Sequence, residues 1–509
     1  MMGSKPVLVT GATGYVGGRL VPQLLASGYR VRALGRSLSK LKARPWATHP
    51  NIELVQADAL DLNSLLLAAQ SCWAAVYLIH SMNPQQKDFV EADKKAAINM
   101  MRAAEQAGIQ RIIYLGGLGE EGNWLSRHLR SRREVAEILQ MGSVSVTWLR
   151  SAMILGSGSA SFEILRNLVE HLPVILAPKW VRNPVQPIAI RNVLNYLQGC
   201  LDHPETAGQT YDIGGPDILT YQILMEDYAA EAGLRKRWII PLPFLSLGLS
   251  SYWIHFLTPV PSYIAKPLTQ GLRTPAVCKE HRIQTIVPQK LLSSRETIRL
   301  ALGRIQKQCV DSCWTDAGSV AIPEWLHYGD APYAGGTIMQ TGYRIILDAA
   351  PEEVWEPIEN IGGQTGWYAA DFLWSLRGLA DRLFGGFGHK RGRRQHTELY
   401  TGDAIDFFRV LDIKKPVRLQ LFAEMKFPGE AVLEFKIRGF KKGGTELRIV
   451  SRYLPKGLSG LLFWYMLYPF HRWIFFNMLK NIAHTIKKPV LRGPDRLKPG
   501  RLPKVHKLK

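Results

Sequence analysis

Two different periods of apolar residues divide the chain. Between residues 6 and 150, short apolar runs ("PVLVTG", "YRVRALGR", "IELVQAD", "AAVYLIHS", "RIIYLGG", "SVTWLRS") alternate with segments of helical periodicity. Runs that are apolar at consecutive positions read as strands buried on both faces, and helical crossovers between them require parallel pairing. The expectation is an α/β fold with a doubly wound parallel sheet. After Ser151 the pattern becomes irregular and proline-rich, with helices predicted at Ala160 to Glu170 and Ile190 to Leu201. A mainly helical substrate lobe covering 151–329 fits this pattern, set over the carboxyl ends of the strands where open α/β sheets bind ligands.

From Gly336 the period becomes two. In "RLQLFAEMKF" Leu419, Leu421, Ala423, Met425 and Phe427 share one face, and "LEFKIR" alternates Leu433, Phe435 and Ile437 with Glu434, Lys436 and Arg438. These are half-buried antiparallel strands, with turn signals at "FPGE" and "KKGG". "APEEVWEPIEN" opens a helix, with Pro351 suited to its first position and Glu352 and Glu353 to its positive end. A long terminal helix is predicted from about Leu458 to Lys487. Residues 336–487 therefore read as an α+β helix-grip domain, an antiparallel sheet plus a long C-terminal helix. Residues 488–509 read as a basic, disordered tail; from Lys487 onward there are nine Lys or Arg, one Asp and four prolines.

The 509 residues exceed one compact core, and 64 Lys plus Arg against 42 Asp plus Glu give a formal charge of +22. That balance favours anionic partners such as dinucleotide phosphates or acidic lipid surfaces. No nucleic-acid partner is expected. Five scattered cysteines (Cys72, Cys200, Cys278, Cys309, Cys313) lack zinc spacing and read as thiols of a reducing compartment, so no metal site is expected. The N-terminus enters a strand directly instead of showing a secretory leader, so the expectation is a cytoplasmic protein. Two stretches invite comparison with membrane spans. Trp238 to Ala265 is uncharged but broken by Pro241, Pro243, Pro259 and Pro261, and Gly460 to Phe476 is interrupted by Pro469, His471 and Arg472. Neither reads as a span, and contact with the inner face of the membrane would be peripheral, through the basic tail.

The chemistry concentrates at "VTGATGYVGGRL". Gly11, Gly14 and Gly17 directly follow a strand and open a helix, the arrangement by which a Rossmann sheet grips a pyrophosphate. Gly11 permits the turn, Gly14 the approach of the phosphates and Gly17 close packing of the helix on the sheet. Amides from Thr13 through Tyr15 and Val16 would face the anion, aided by the helix dipole. After the second strand, where an NAD site offers a carboxylate, stands Arg36; it would neutralise a 2′-phosphate, which favours NADP with NAD as the alternative. Asp58, with Ala59 beside it, follows the third strand and is placed to accept from the adenine amine or to cap the next helix.

On "TGATGYVG", "ADALD", "YLIHSM", "RIIYLGGLG" and "LRSAMILGSGSASFEILR", roughly the first two thirds of the chain resembles the atypical short-chain dehydrogenase/reductases, near the NmrA-like proteins. On "GGQTGWYAADFLWSLRGLADRLFGG", "GDAIDFFRV" and "AEMKFPGEAVLEF" the remainder resembles the uncharacterised domain that accompanies them, similar to the polyketide-cyclase and START-like helix-grip superfamily. The resemblance implies an NAD(P)-binding domain over 1–329, with His80 and Ser81 facing the nicotinamide side and Gly116 among the cofactor-binding residues. It also implies a catalytic Ser and a Tyr-x-x-x-Lys pair. Gly116 or Gly117 stands where the Ser belongs, and His128 and Arg132 stand at the spacing of the Tyr and Lys. His128 could exchange a proton and Arg132 hold the ribose or substrate; on a basic helix, a surface position is the plainer reading of His128. Three functions follow as expectations: an oxidoreductase acting on a small apolar carbonyl or quinone-like molecule, a non-enzymatic NADP-dependent redox sensor, or a membrane-associated assembly or lipid-handling factor. In the C-terminal domain, Asp403, Asp406, Glu424, the basic group Lys390, Arg391, Arg393 and Arg394, and five tryptophans are noted without catalytic assignment.

Overall fold

The computed structural model describes residues 5–80, 89–119, 126–242, 270–271, 273–306, 311–317, 338–383, 393, 398–440 and 443–497. The chain separates into two compact units between Gly318 and Ser319.

In the N-terminal unit the apolar runs become β1 (Val7–Val9), β2 (Val31–Gly35), β3 (Ile52–Gln56), β4 (Ala74–Tyr77), β5 (Arg111–Gly117) and β6 (Ser145–Ser151), followed by β7 (Thr210–Ile213). They pair in parallel in the order β7-β6-β5-β4-β1-β2-β3. Helices α1 (Gly17–Ala26), α2 (Leu38–Lys42), α3 (Leu62–Ala69), α4 (Phe89–Gln106) and α5 (Arg127–Gln140) supply the crossovers. β1, β2 and β4 are almost wholly buried, whereas β3 is only half-buried because it forms the sheet edge. The strand order reverses between β1 and β4, which opens a crevice beyond their carboxyl ends.

The helical lobe that follows β6 contains α6 (Ala160–His171), α7 (Ile190–Asp202), α8 (Tyr221–Glu231) and α9 (Ser294–Gln306). Short strand pairs accompany them, including Val174–Pro178 with Trp238–Leu242, which absorbs the start of the uncharged stretch. The rest of that stretch lies outside the described residues. Among the described residues no helix is long and apolar enough to cross a membrane.

Among the described residues, the C-terminal unit is a seven-stranded antiparallel sheet with three helices. Its strands are β8 (Met339–Leu347), β9 (Ala404–Ile405), β10 (Phe408–Lys414), β11 (Arg418–Ala423), β12 (Gly429–Gly439), β13 (Thr445–Pro455) and β14 (Val490–Arg496), in the order β9-β10-β11-β12-β13-β8-β14. Helices α10 (Pro351–Glu359), α11 (Asp371–Leu383) and α12 (Gly457–Ile486) complete it. Leu419, Leu421, Leu433, Phe435 and Ile437 pack with Phe475, Met478, Leu479 and Ile482 of α12 in one core, a helix-grip-like arrangement. Pro351 begins α10, and the Ala350 N–H donates to Glu353 Oε2 at 2.9 Å.

Two expectations need correction. Residues 490–496, read as part of a disordered tail, form β14, because the free edge of β8 supplies backbone partners to an extended segment. Glu434, placed on the solvent face by alternation, is buried; Arg452 lies 2.8 Å away and is equally buried, so the charge is paired instead of hydrated.

Candidate functional site

The glycine turn between β1 and α1 lies at the reversal of strand order. Thr10 ties the two strands together there: its N–H and hydroxyl donate to Val76 O at 3.0 and 3.3 Å, and its hydroxyl accepts from Leu78 N–H at 3.0 Å. Gly11 has φ +65°, a left-handed conformation that glycine adopts without strain. The Gly14 N–H turns back to Gly11 O at 2.9 Å. At Gly17 a Cβ would lie 2.3 Å from Gly11 O and 2.9 Å from Ala12 Cα. The third glycine thus packs the helix onto the turn itself, where the sequence suggested packing on the sheet. In the first turn of α1, Gly18 N–H donates to Gly14 O at 2.9 Å and the Arg19 and Leu20 N–H groups to Val16 O at 3.1 and 2.9 Å, and this end of the helix carries the positive end of the dipole.

From this turn a cavity of about 590 Å³ runs into the helical lobe, and every described site residue singled out from the sequence lines it, Ser81 lying outside the described residues. Gly11, Thr13, Gly14, Tyr15, Val16 and Gly17 form one end. Exposed Arg36 follows β2, and Asp58 and Ala59 follow β3. Asp58 does not cap α3. Asp61 does so, accepting from Asn63 N–H at 3.1 Å, while Asp58 Oδ1 accepts from Leu60 N–H at 3.0 Å in a local turn. Tyr15 is a neutral phenol, pushed up to about 12 by burial.

Residues 311–317 cross the glycine turn as a strap that sequence reasoning missed. Ser312 Oγ donates to Tyr15 O at 2.7 Å, and Arg19 donates to Ser312 Oγ at 2.9 Å. Buried Asp316 lies 3.4 Å from the Arg44 guanidinium, Lys40 donates to its carbonyl, and Arg44 also reaches Thr13 O at 3.2 Å. Cys313 belongs to the strap, while Cys309 lies outside the described residues. Among the described residues no cluster could hold a metal ion.

Farther along the cavity stands a polar group. His128 is not a surface residue: its ring lies 4.9 Å from that of His80, and its Nδ1 is buried with no hydrogen-bond partner among the described residues. Burial, then His80 and Arg132 beside it, push its imidazole well below the ordinary range. Burial also lowers His80, against the opposing pull of Asp93, whose Oδ2 is 3.4 Å from His80 Nδ1. Asp93 is buried on α4 and accepts from Ser131 Oγ at 3.0 Å. Its sequence signal was available: it shares the inward stripe of α4 with Ala96, Ala97 and Met100. Arg132 donates to Ile79 O at 3.1 Å and to Leu115 O, so its guanidinium braces the ends of β4 and β5.

Both glycines at the expected serine position are packed. A Cβ at Gly116 would lie 2.3 Å from Trp148 Nε1, and at Gly117 2.7 Å from Leu129 Cδ2. The far end of the cavity is apolar, lined by Leu165, Leu168, Ile175, Tyr221, Leu224 and Met225.

Residues 11–166 match the family described as NAD(P)H-binding. The dihydroflavonol 4-reductase of Zea mays is 32% identical over 249 residues, 45% of this chain and 68% of the relative. Through its N-terminal unit the chain belongs to the NAD(P)H-binding Rossmann-fold oxidoreductases. Other proteins similar to this unit carry different names. The UDP-glucose 4-epimerase of Vibrio cholerae is 22% identical over 262 residues, 47% of this chain and 79% of that one. The triphenylmethane reductase of Citrobacter sp., complexed with NADP(H), is 19% identical with a TM-score of 0.47, covering 58% of this chain and 99% of that one. Residues 334–478 match a family described as a protein of unknown function, DUF2867.

NAD(P) fits the cradle: a methyl group at Gly17 would fill the turn, the positive end of the α1 dipole lies at the turn where a diphosphate would sit, and the cavity continues past Arg36 and Asp58. In the C-terminal unit the noted acids are braces. Asp406 Oδ2 accepts from Trp367 Nε1 at 3.0 Å and Gly363 N–H at 3.2 Å, and Asp403 Oδ2 accepts from Tyr400 N–H at 3.0 Å. Glu424 lies beyond β11 and pairs with Arg409 at 2.6 Å, a role alternation did not suggest. Arg393 donates to Ile361 O at 3.3 Å; Lys390, Arg391 and Arg394 lie outside the described residues. Trp355, Trp367, Trp374 and Trp464 are buried, whereas Trp473 is half exposed.

Proposed function

We propose that the N-terminal unit is an NADP-dependent reductase of a small apolar carbonyl or quinone-like compound. The carrying observation is the single cavity that joins the phosphate cradle, the His80 and His128 pair and the apolar wall of the substrate lobe. The glycine turn and the start of α1 would hold the diphosphate, Arg36 a 2′-phosphate, and Asp58 the adenine edge. When bound, the dinucleotide supplies a hydride. Leu165, Ile175, Leu224 and Met225 bury the substrate and exclude water. His128 hydrogen-bonds the substrate oxygen and exchanges a proton there through His80, with Asp93 orienting the His80 ring. Burial first, and Arg132 after it, hold both imidazoles neutral, so in reduction His128 gives its ring N–H proton to the substrate oxygen as it takes one at its other nitrogen from His80, which is reprotonated from solvent.

Purified protein incubated with NADPH and a panel of quinones, aldehydes and enones should lose reduced-nicotinamide absorbance only with substrate present. Arg36→Ala should reduce NADPH affinity about tenfold and leave NADH affinity unchanged, since one charged contact to a phosphate is worth about 1.5–3 kcal/mol. Equal affinity of the parent protein for both nucleotides contradicts the Arg36 role. A second reading, a redox sensor without turnover, is favoured by the packed Gly116 and Gly117 and by the lack of a Tyr-x-x-x-Lys pair at residues 128–132. NADPH binding without oxidation across the panel would select it.

A further inference from the structure

The longest helix carries an apolar face that its own unit does not cover. Trp464, Phe475, Met478 and Ile482 of α12 are buried. On another side, Leu462, Tyr465, Met466, Phe470, Trp473 and Phe476 are 40 to 64% exposed. Their three- and four-residue spacing places them in one stripe about 21 Å long. Phe372 and Leu376 of α11 are exposed as well, 68% and 60%, and Arg377 of that helix lies 5.7 Å from the Phe463 ring, so the two helices are neighbours.

The charge around the stripe selects what would cover it. α12 contains no Asp or Glu, and exposed Arg472 and Lys480 lie on it. Lys456 precedes it, paired with Glu430 at 3.4 Å, and Lys487 and Lys488 follow, the latter paired with Glu353 at 3.1 Å, at the start of a segment with nine Lys or Arg and one Asp. An apolar stripe of Leu, Met and aromatic side chains on a helix that carries Arg472 and Lys480 but no acid matches the interface between lipid headgroups and acyl chains. Anionic headgroups complement these cations, and the net charge of +22 acts in the same sense. The helix is not apolar enough to cross a bilayer.

We propose that this face of α12 docks the protein on an anionic lipid bilayer. The helix lies in the plane of the headgroups, inserts Leu462, Met466, Phe470 and Trp473, and sets Arg472 and Lys480 against lipid phosphates. The surface is independent of the nucleotide site and of the proposed reductase activity.

The test is flotation of the full chain with phosphatidylcholine vesicles containing or lacking phosphatidylglycerol. Association should be at least tenfold stronger with phosphatidylglycerol. Phe470→Glu with Trp473→Glu should reduce it at least tenfold without changing the thermal midpoint, because both side chains are exposed. Arg472→Glu with Lys480→Glu should reduce it as well, which keeps the test decisive if the first variant folds poorly. No association with phosphatidylglycerol vesicles, or undiminished association of both variants, overturns the proposal. So does a homodimer in sedimentation that fails to bind vesicles and is dissociated by the first variant, since the face would then belong to a second copy.

Discussion

At Gly17 there is no room for a methyl group. Its Cβ would sit 2.3 Å from a backbone oxygen, and backbone cannot swing aside as a side chain can. Gly17→Ala should therefore weaken nucleotide binding at least tenfold by displacing the start of α1, and overpacking of this kind costs about 1–3 kcal/mol in stability. Titration calorimetry and thermal denaturation measure the two effects. At the other end of the site, the proposed reaction has His128 touch substrate and Asp93 orient His80. His128→Phe should lower kcat about 100-fold at unchanged NADPH affinity, the usual scale for a positioned acid or base. Asp93→Asn should lower kcat less and shift the acid limb of its pH profile, because it removes the charge facing His80. Full activity of His128→Phe rejects the proton-exchange role. The positions of His128 and Arg132 were legible from spacing. The partnership with Asp93 was not, because it joins α4 to α5.

At the scale of elements, the strap over the glycine turn joins parts of the chain far apart in sequence: Arg19 and Ser312 are 293 positions apart. Asp316 is the buried carboxylate of this contact, facing Arg44. Removing one partner of a buried pair leaves the other charge desolvated, which costs about 3 kcal/mol. Asp316→Ala should destabilise the N-terminal unit by that amount and expose residues 311–317 to hydrogen exchange. Unchanged exchange there would show that the strap does not depend on this carboxylate. The strand and helix runs themselves were readable, since each is written in a local period. β14 was not, because its composition is that of a tail and only the open edge of β8 gives its backbone a partner.

At the scale of the whole molecule, two units with separate hydrophobic cores should give two thermal transitions. NADPH should raise only the transition of the N-terminal unit, by mass action on its folded state. Acid should act on both, since His80 and His128 are also lowered by burial, and in the C-terminal unit the group concerned is His471. Burial lowers His471 of α12 from 6.5 to about 4, and its ring stacks on Phe475 at 5.7 Å. Between those values the unfolded chain holds a proton that the folded chain does not. Stability present above pH 6.5 is therefore lost as the pH falls towards 4. Calorimetry between pH 7 and 4 should show the C-terminal midpoint falling, with a shallower slope in His471→Phe. An equal slope in that variant would assign the acid sensitivity to other groups.

What the sequence alone determined is what repeats over a few residues: alternating strands and helices, the glycine turn, and the change of period that separates the two units. Backbone geometry converts such patterns into elements wherever they occur. Tertiary structure decided the rest: Asp93 behind His80, the strap over the nucleotide cradle, the burial of Glu434 with Arg452, and the exposure of Trp473. Those depend on which distant side chains meet, and a local pattern of polarity carries no record of its partner.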